Sequence, residues 1–143
     1  MSTAPRPRAG AADDEGSVLL LTIGYAVLAL VLVLVCVDAT SLYLQQKRAD
    51  AVADAAALAG ADGFELRVDG GVPVARLTDA DVRAQAEQMV AADGAAVVIA
   101  ADTPDGVSAR VTVETVWHPP VLTLFVPEGL TLQATATSRT ALR

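Results

Sequence analysis

The residues that could do chemistry in this sequence are few, and they form no catalytic pattern. His118 is the single histidine and precedes a Pro-Pro pair; catalysis there would need a nucleophile and an orienting acid close by in space. The sequence contains no serine-hydrolase, metalloprotease, phosphate-loop or dinucleotide-binding motif. We therefore interpret His118 as a loop residue and predict a non-enzymatic protein with no catalytic residues and no cofactor.

Two further candidates concern metals. Asp102 and Asp105 flank a turn signal and could bind calcium weakly, because carboxylate oxygens are ligands that calcium prefers. The other ligands of an EF-hand loop are missing, so a solvated turn is the favoured interpretation. Cys36 is the single cysteine, which excludes an intramolecular disulfide and a cysteine metal site. It lies in an apolar run and is interpreted as a small apolar residue.

The charge balance of the chain limits the kinds of partner that it can bind. The chain has 10 basic and 17 acidic residues, for a formal net charge of −7. Nucleic-acid binding needs a positive surface facing the phosphates, so no nucleic-acid partner is expected. The same balance argues against a basic patch that docks on anionic lipid.

An uncharged apolar run extends from Val18 to Val37. Its length matches what a helix needs to cross a bilayer core of about 30 Å, and its leucines, isoleucine and valines favour insertion. A cleaved secretory signal is the alternative, but it would have a shorter apolar region and a clear small-residue cleavage site. We predict a retained transmembrane helix. Arg6 and Arg8 before the run balance Lys47 and Arg48 after it, so charge alone leaves its orientation open.

No helix breaker follows the apolar run until Gly60, and alanine, the best helix former, dominates residues 49–61. The pattern predicts one helix from about Ser17 to Gly60, about 65 Å long. Lys47 and Asp50 are spaced to pair on one face. A second face carries small apolar side chains, which would allow close approach by another helix: Ala49, Val52, Ala53 and Ala56.

Asp38 directly follows the apolar run and has two interpretations. It is either a residue at the lipid–water interface or a contact to a partner helix in an assembly, because a charge close to the bilayer favours a paired position.

The remainder indicates a small α/β unit, so the fold class expected is α+β with an antiparallel sheet and one further helix. Thr78 is placed to cap that helix and Gly94 to end it. Asp69-Gly70-Gly71 predicts a turn between two strands. The other elements expected are strands in 96–101, 107–114 and 130–137, a turn over 103–106, and a short apolar piece over 121–126.

The N-terminal third resembles the TadE/TadG-like membrane proteins of Tad-type (Flp) pilus assembly. The matching features are Gly16-Ser17 before the span, the long aliphatic run, Val37-Asp38, Leu42-Tyr43, and the alanine-rich helix with Gln45 and residues 53–59. Residues 111–113 and 123–127 and the Thr-Ala-rich last strand resemble the ends of such proteins more loosely.

The resemblance implies a minor pilin or pseudopilin-like structural component of a Tad-type pilus or secretion assembly, with a pilin-like fold. It also implies a single-pass protein of the cytoplasmic membrane, with the N-terminus inside and the C-terminal domain outside. A leader cut after Gly16 is implied as well; the stricter prepilin pattern has glutamate at the fifth residue after the cut, where this chain has Leu21.

We therefore expect three regions: a disordered cytoplasmic N-terminus or leader (1–16), a transmembrane helix with an extramembrane extension (17–60), and a small extracytoplasmic α/β domain (61–143). The expected partners are the lipid bilayer and other Tad-like pilins or assembly proteins, in homo- or hetero-oligomers. A membrane-anchored extracytoplasmic binding or adhesion module is the alternative. The assembly interface is predicted at Asp38, Tyr43, Ala49, Val52, Ala53 and Ala56.

Overall fold

The computed structural model describes residues 11–139 of the chain. Within this range the α+β fold is confirmed, with one long apolar helix followed by a small antiparallel sheet and a second helix. The elements in chain order are α1 (Ala11–Asp62), β1 (Glu65–Asp69), β2 (Val72–Arg76), α2 (Asp79–Asp93), β3 (Ala96–Asp102), β4 (Ser108–Trp117) and β5 (Leu130–Arg139).

The apolar run and the alanine-rich segment lie on one continuous helix, α1, as predicted. It begins at Ala11, so residues 11–16, for which disorder was expected, are helical, and it ends at Asp62. Residues 1–10 of the predicted leader lie outside the described residues. Among the described residues, the part of α1 from Gly16 to Asp62 is the one helix long and apolar enough to cross a membrane. It fits a single-pass membrane anchor.

The chain forms two compact units, residues 1–37 and residues 38–143. The described part of the first unit is helical, and its large apolar side chains are exposed except for Leu34, which is partly buried. The hydroxyl of Thr22 donates to the carbonyl of Val18 at 2.9 Å, which satisfies this polar group within the helix itself.

The second unit contains a three-stranded antiparallel sheet in the order β3-β4-β5. On central strand β4, Val111 pairs with Ala136 and Val113 with Ala134 of β5. The register to β3 shifts between Val98 and Ala100. Burial alternates along the middle of β4: Ala109, Val111 and Val113 are buried, whereas Arg110 and Thr112 between them are at least partly exposed.

β1 and β2 form a separate antiparallel hairpin. The predicted turn is confirmed: Gly70 and Gly71 have φ angles of 59° and 88°, in the left-handed region that glycine enters without steric cost. Leu66 and Val68 on β1 are both exposed.

α2 begins and ends as the sequence indicates. Thr78 has an extended backbone, and its hydroxyl accepts a hydrogen bond from the Asp81 amide at 3.2 Å. Gly94 ends the helix in the left-handed region and its amide bonds the Val90 carbonyl. The carboxylate of Asp79 accepts a bond from the Thr103 amide at 2.7 Å, which ties the start of α2 to the turn after β3.

The core of the second unit is built from small side chains of α1, α2 and the sheet. Gly60 allows the close packing: a Cβ there would lie 3.0 Å from Val82 Cγ1 and 3.3 Å from Ala109 Cβ. Because alanine and valine bury little area each, stability depends on this close fit. The buried apolar cluster is Ala49, Ala53, Ala56, Ala57, Ala61, Leu77, Val82, Ala86, Val90, Ala101, Ala109, Val111, Val113 and Ala134.

Candidate functional site

One face of α1 carries the side chains that hold the domain, and we call it the packing stripe. Its residues recur every three or four positions, which places them on one side of a helix. Between Asp38 and Gln46 the stripe is polar and makes hydrogen bonds to the other elements; from Ala49 onward it is made of small apolar residues. The stripe consists of Asp38, Ser41, Gln45, Gln46, Ala49, Ala53, Ala56, Ala57, Gly60 and Ala61.

Asp38 is buried at 6% exposure. Its Oδ1 accepts a hydrogen bond from the backbone amide of Val121 at 3.1 Å. Its other carboxylate oxygen, Oδ2, is buried and has no hydrogen-bond partner among the described residues. Burying a carboxylate that is only half satisfied costs free energy, so the residue is not a stabilising choice by itself.

Trp117 ends β4 with its ring buried and its indole nitrogen bonded to α1. Nε1 donates to the hydroxyl of Ser41 at 3.1 Å. A buried indole N–H usually has such a hydrogen-bond acceptor. Trp117 and Asp38 thus join the same short stretch of α1 to β4 and to the segment that follows it.

Gln45 and Gln46 continue the polar part of the stripe. The Gln45 amide donates to the hydroxyl of buried Thr115 at 3.3 Å, and that hydroxyl donates to the Ala95 carbonyl at 2.9 Å. The Gln46 amide donates to the Gln133 carbonyl at 3.3 Å. α1 is therefore bonded to both β4 and β5.

The residues predicted for an assembly interface lie in three different environments. Ala49, Ala53 and Ala56 are buried in the core, and Val52 is partly buried against it. The partner of this small-residue face within the structure is the chain's own domain; its contact with a second chain stays a prediction. Tyr43 is 61% exposed.

The ring of Tyr43 belongs to an exposed cluster with two charged neighbours. The Nζ of Lys47 lies 5.8 Å from the ring centroid, within the range of a cation–π contact. Lys47 and Asp50 form the predicted ion pair at 3.1 Å. The hydrogen bond between them raises the pKa of Lys47 and lowers the pKa of Asp50.

Gly16 lies in α1 and is exposed, with no heavy atom within 4 Å of an added Cβ. Cleavage of a leader after this residue stays a prediction.

The acidic turn near Asp102 and Asp105 is occupied by protein groups. Asp102 makes two bonds with the Arg110 guanidinium, at 2.9 and 2.6 Å. Asp105 accepts from the Val107 and Ser108 amides at 3.0 and 2.6 Å, and these bonds contribute to lowering its pKa to about 2. The described residues contain no group of three or more metal-ligating side chains, and both carboxylates act as structural acceptors.

The cleft beside the packing stripe holds little that could do chemistry. Its charged residues are Arg48 and Asp93, and the rest of its lining is polar or small: Gln45, Ala49, Ala51, Val52, Ala95, Ala96 and Thr115. His118 is exposed in the segment after β4. Among the described residues we find no nucleophile bonded to a base.

The sequence indicates Asp38 as a candidate residue but does not indicate its hydrogen-bond partner, Val121. The Asp38–Val121 and Ser41–Trp117 bonds join residues 83 and 76 positions apart. No local pattern encodes such a pairing. The available signal was a charge and a hydroxyl on one helical face just past the apolar run.

Residues 16–63 match the model of the Tad family, described as "Putative Flp pilus-assembly TadE/G-like". No curated protein and no solved structure matches the chain. The matched residues include the apolar run and the whole packing stripe. The match supports involvement in Flp/Tad pilus assembly, association with other pilus components, and a structural, non-enzymatic role. The resemblance seen in the sequence is thereby confirmed: residues 16–63 of this chain match the TadE/G-like Flp pilus-assembly family model.

Proposed function

We propose that the protein is a minor pilin or pseudopilin-like structural component of a Tad-type pilus or secretion assembly. The observation that carries the proposal is that the TadE/G-like match falls on one helix with two parts. The first part is apolar and exposed, and the second carries a folded domain on its packing stripe. This is what a membrane-held assembly subunit needs, since the helix anchors and the domain presents surface.

In this proposal the protein crosses the cytoplasmic membrane once, with its N-terminus inside and the domain outside. The three regions are a leader or cytoplasmic N-terminus at 1–16, the helix at 17–60 and the domain at 61–143. A peptidase cut after Gly16 would leave Ser17 as the new N-terminus.

The residues proposed to act in assembly include exposed and buried ones, and the two groups have different roles. Tyr43, with its Lys47 and Asp50 neighbours, is accessible to a partner and is proposed to contact it. Ala49, Val52, Ala53 and Ala56 hold the domain against α1 and so place that surface. Asp38 is buried and bonds the Val121 amide, so its proposed part in assembly is to position the segment that follows β4.

Photo-crosslinking in cells that make the whole pilus system tests this proposal. A photoreactive phenylalanine at position 43 should give adducts with other small single-helix membrane proteins after mild detergent extraction. The matched control is the same probe at Asp54, which is also exposed on α1. A deletion strain should lose pili or secretion and regain them with the intact gene.

Normal pili in the deletion strain, together with recovery of the protein only as a free monomer, would contradict the proposal. That outcome would favour the anchored binding or adhesion module, whose ligand would then be sought with the full-length protein.

A further inference from the structure

The segment between β4 and β5 carries an unusual apolar surface. Leu124 and Phe125 are 92% and 80% exposed, the two highest values among the large apolar side chains described, and Leu122 is also exposed. We call these three residues the apolar tip. Single exposed apolar residues are common on proteins, but a cluster of large ones marks a contact surface.

The tip is held in one conformation by its own hydrogen bonds. The Phe125 and Val126 amides both donate to the Leu122 carbonyl, at 2.9 and 3.1 Å. The Thr123 hydroxyl donates to the Pro119 carbonyl at 2.6 Å. The apolar side chains are therefore presented by an ordered turn, and inserting them elsewhere would cost little further ordering.

A hydrogen bond to Asp38 ties this turn to the residue that follows the apolar run. The Val121 amide is bonded to Asp38, and Asp38 follows Val37, the last residue of the apolar run. If the apolar run ends at the bilayer surface, the bond to Asp38 keeps Val121 close to that surface. Three residues reach at most about 10 Å, and each headgroup layer is about 5–8 Å thick. Leu124 is within reach of the acyl chains.

We propose that the apolar tip is a second membrane contact, which inserts at the boundary between headgroups and acyl chains of the bilayer that α1 spans. The segment from Pro119 to Pro127 has no charged residue, so insertion would bury no charge. Recognition is apolar and should not require anionic lipid. The proposal depends on the membrane anchor but not on a role in pili.

Depth-dependent fluorescence quenching of the full chain in phosphatidylcholine vesicles tests it. Cys36→Ala removes the single cysteine, and Leu124→Cys then carries an environment-sensitive label. The matched control is Leu66→Cys, at another exposed leucine, which lies on β1. β1 follows the end of α1, which lies about 36 Å along the helix from Asp38.

Nitroxide lipids labelled near the top of the acyl chain should quench the label at 124 at least threefold more than the label at 66. Equal quenching at the two sites would overturn the proposal. A label that is shielded from water but not quenched, with shielding that depends on protein concentration, would also overturn it and indicate a protein partner.

A second variant covers the case in which Leu124→Cys does not fold. Thr123→Cys places the label on an exposed polar residue of the same turn, and Phe125→Asp is added to it. The aspartate should reduce quenching at 123 at least twofold, because it would place a charge in the lipid. The matched change Leu66→Asp should leave that quenching unchanged. Unchanged quenching with Phe125→Asp would refute insertion.

Discussion

The indole nitrogen of Trp117 and the hydroxyl of Ser41 are joined by a hydrogen bond of 3.1 Å between β4 and α1. Because Trp117 is the single tryptophan, the bond can be followed by fluorescence. Ser41→Ala should leave the buried indole N–H without an acceptor and lower the free energy of unfolding by about 1–3 kcal/mol. The tryptophan emission should change as well. Thr40→Ala, at the exposed neighbouring position, is the control, and equal effects of both changes would contradict the assignment.

Substitutions of Asp38 can distinguish its contribution to folding from its contribution to assembly. Asp38→Asn keeps an oxygen for the Val121 amide and replaces a buried carboxylate by a neutral amide that costs less to bury. We expect the thermal midpoint of the domain to stay the same or rise. Asp38→Val leaves the Val121 amide unpaired, which should cost about 1–3 kcal/mol.

Co-purification of partner proteins is the second measurement on the Asp38 variants. If the charge of Asp38 contributes to assembly, Asp38→Asn should weaken co-purification of partners while the fold remains intact. Full recovery of partners with the asparagine variant would exclude a role for the charge in assembly.

Gly60 is expected to tolerate only a hydrogen side chain. Gly60→Ala gains up to about 1 kcal/mol of helix propensity but puts a Cβ 3.0 Å from Val82, and overpacking costs about 1–3 kcal/mol. The net effect should be a loss of up to about 2 kcal/mol, and Gly60→Leu should prevent folding of the domain. Gly24→Ala in the same helix meets no neighbour within 4 Å and should leave the domain's thermal midpoint unchanged.

Val111 and Val113 on the buried face of β4 should be sensitive to truncation. Either change to alanine removes two methyl groups and leaves a cavity, at a cost of about 1–3 kcal/mol. Val116→Ala, on the same strand but 47% exposed, should change the free energy of unfolding by less than about 0.5 kcal/mol. Chemical denaturation in detergent compares them, and similar losses at positions 113 and 116 would contradict the burial pattern.

Asp105 should make the stability of the domain fall in acid. Its pKa is lowered to about 2, first by the Val107 amide and also by Ser108 and Arg139. A lowered pKa in the folded state stabilises above the unfolded value of 3.8, and the contribution is lost as the pH falls from about 4 toward 2. Denaturation midpoints of the wild type and Asp105→Asn should therefore differ at pH 6 and converge near pH 2. A difference that is the same at both pH values would refute this.

Much of this fold is local, and that part could be predicted. The Thr78 cap, the Gly94 stop, the Gly70-Gly71 turn and the alternation on β4 each depend on residues near one another in sequence. The same is true of the apolar run and of the Lys47–Asp50 pair, which needs only helical spacing.

What could not be predicted is which elements meet. The alanine face between Ala49 and Ala56 suits another chain or this one, because small side chains allow close approach by any partner. The structure fills it with the chain's own strands and α2. The sequence also does not indicate that Leu124 and Phe125 are exposed, because an apolar run of that length is as typical of a buried segment as of a surface turn.

The packing stripe contacts residues that are distant from it in sequence, and this affects how the protein folds during synthesis. Gln46, on the first helix, is bonded to Gln133, on the last strand, across 87 positions. The stripe therefore lacks part of its contacts during synthesis until β5 has been made. Contacts this distant in sequence form late and slowly. A chain that stops short of β5 would leave Gln46 and one edge of β4 without their partners, and quality-control proteases could recognise it as unfinished.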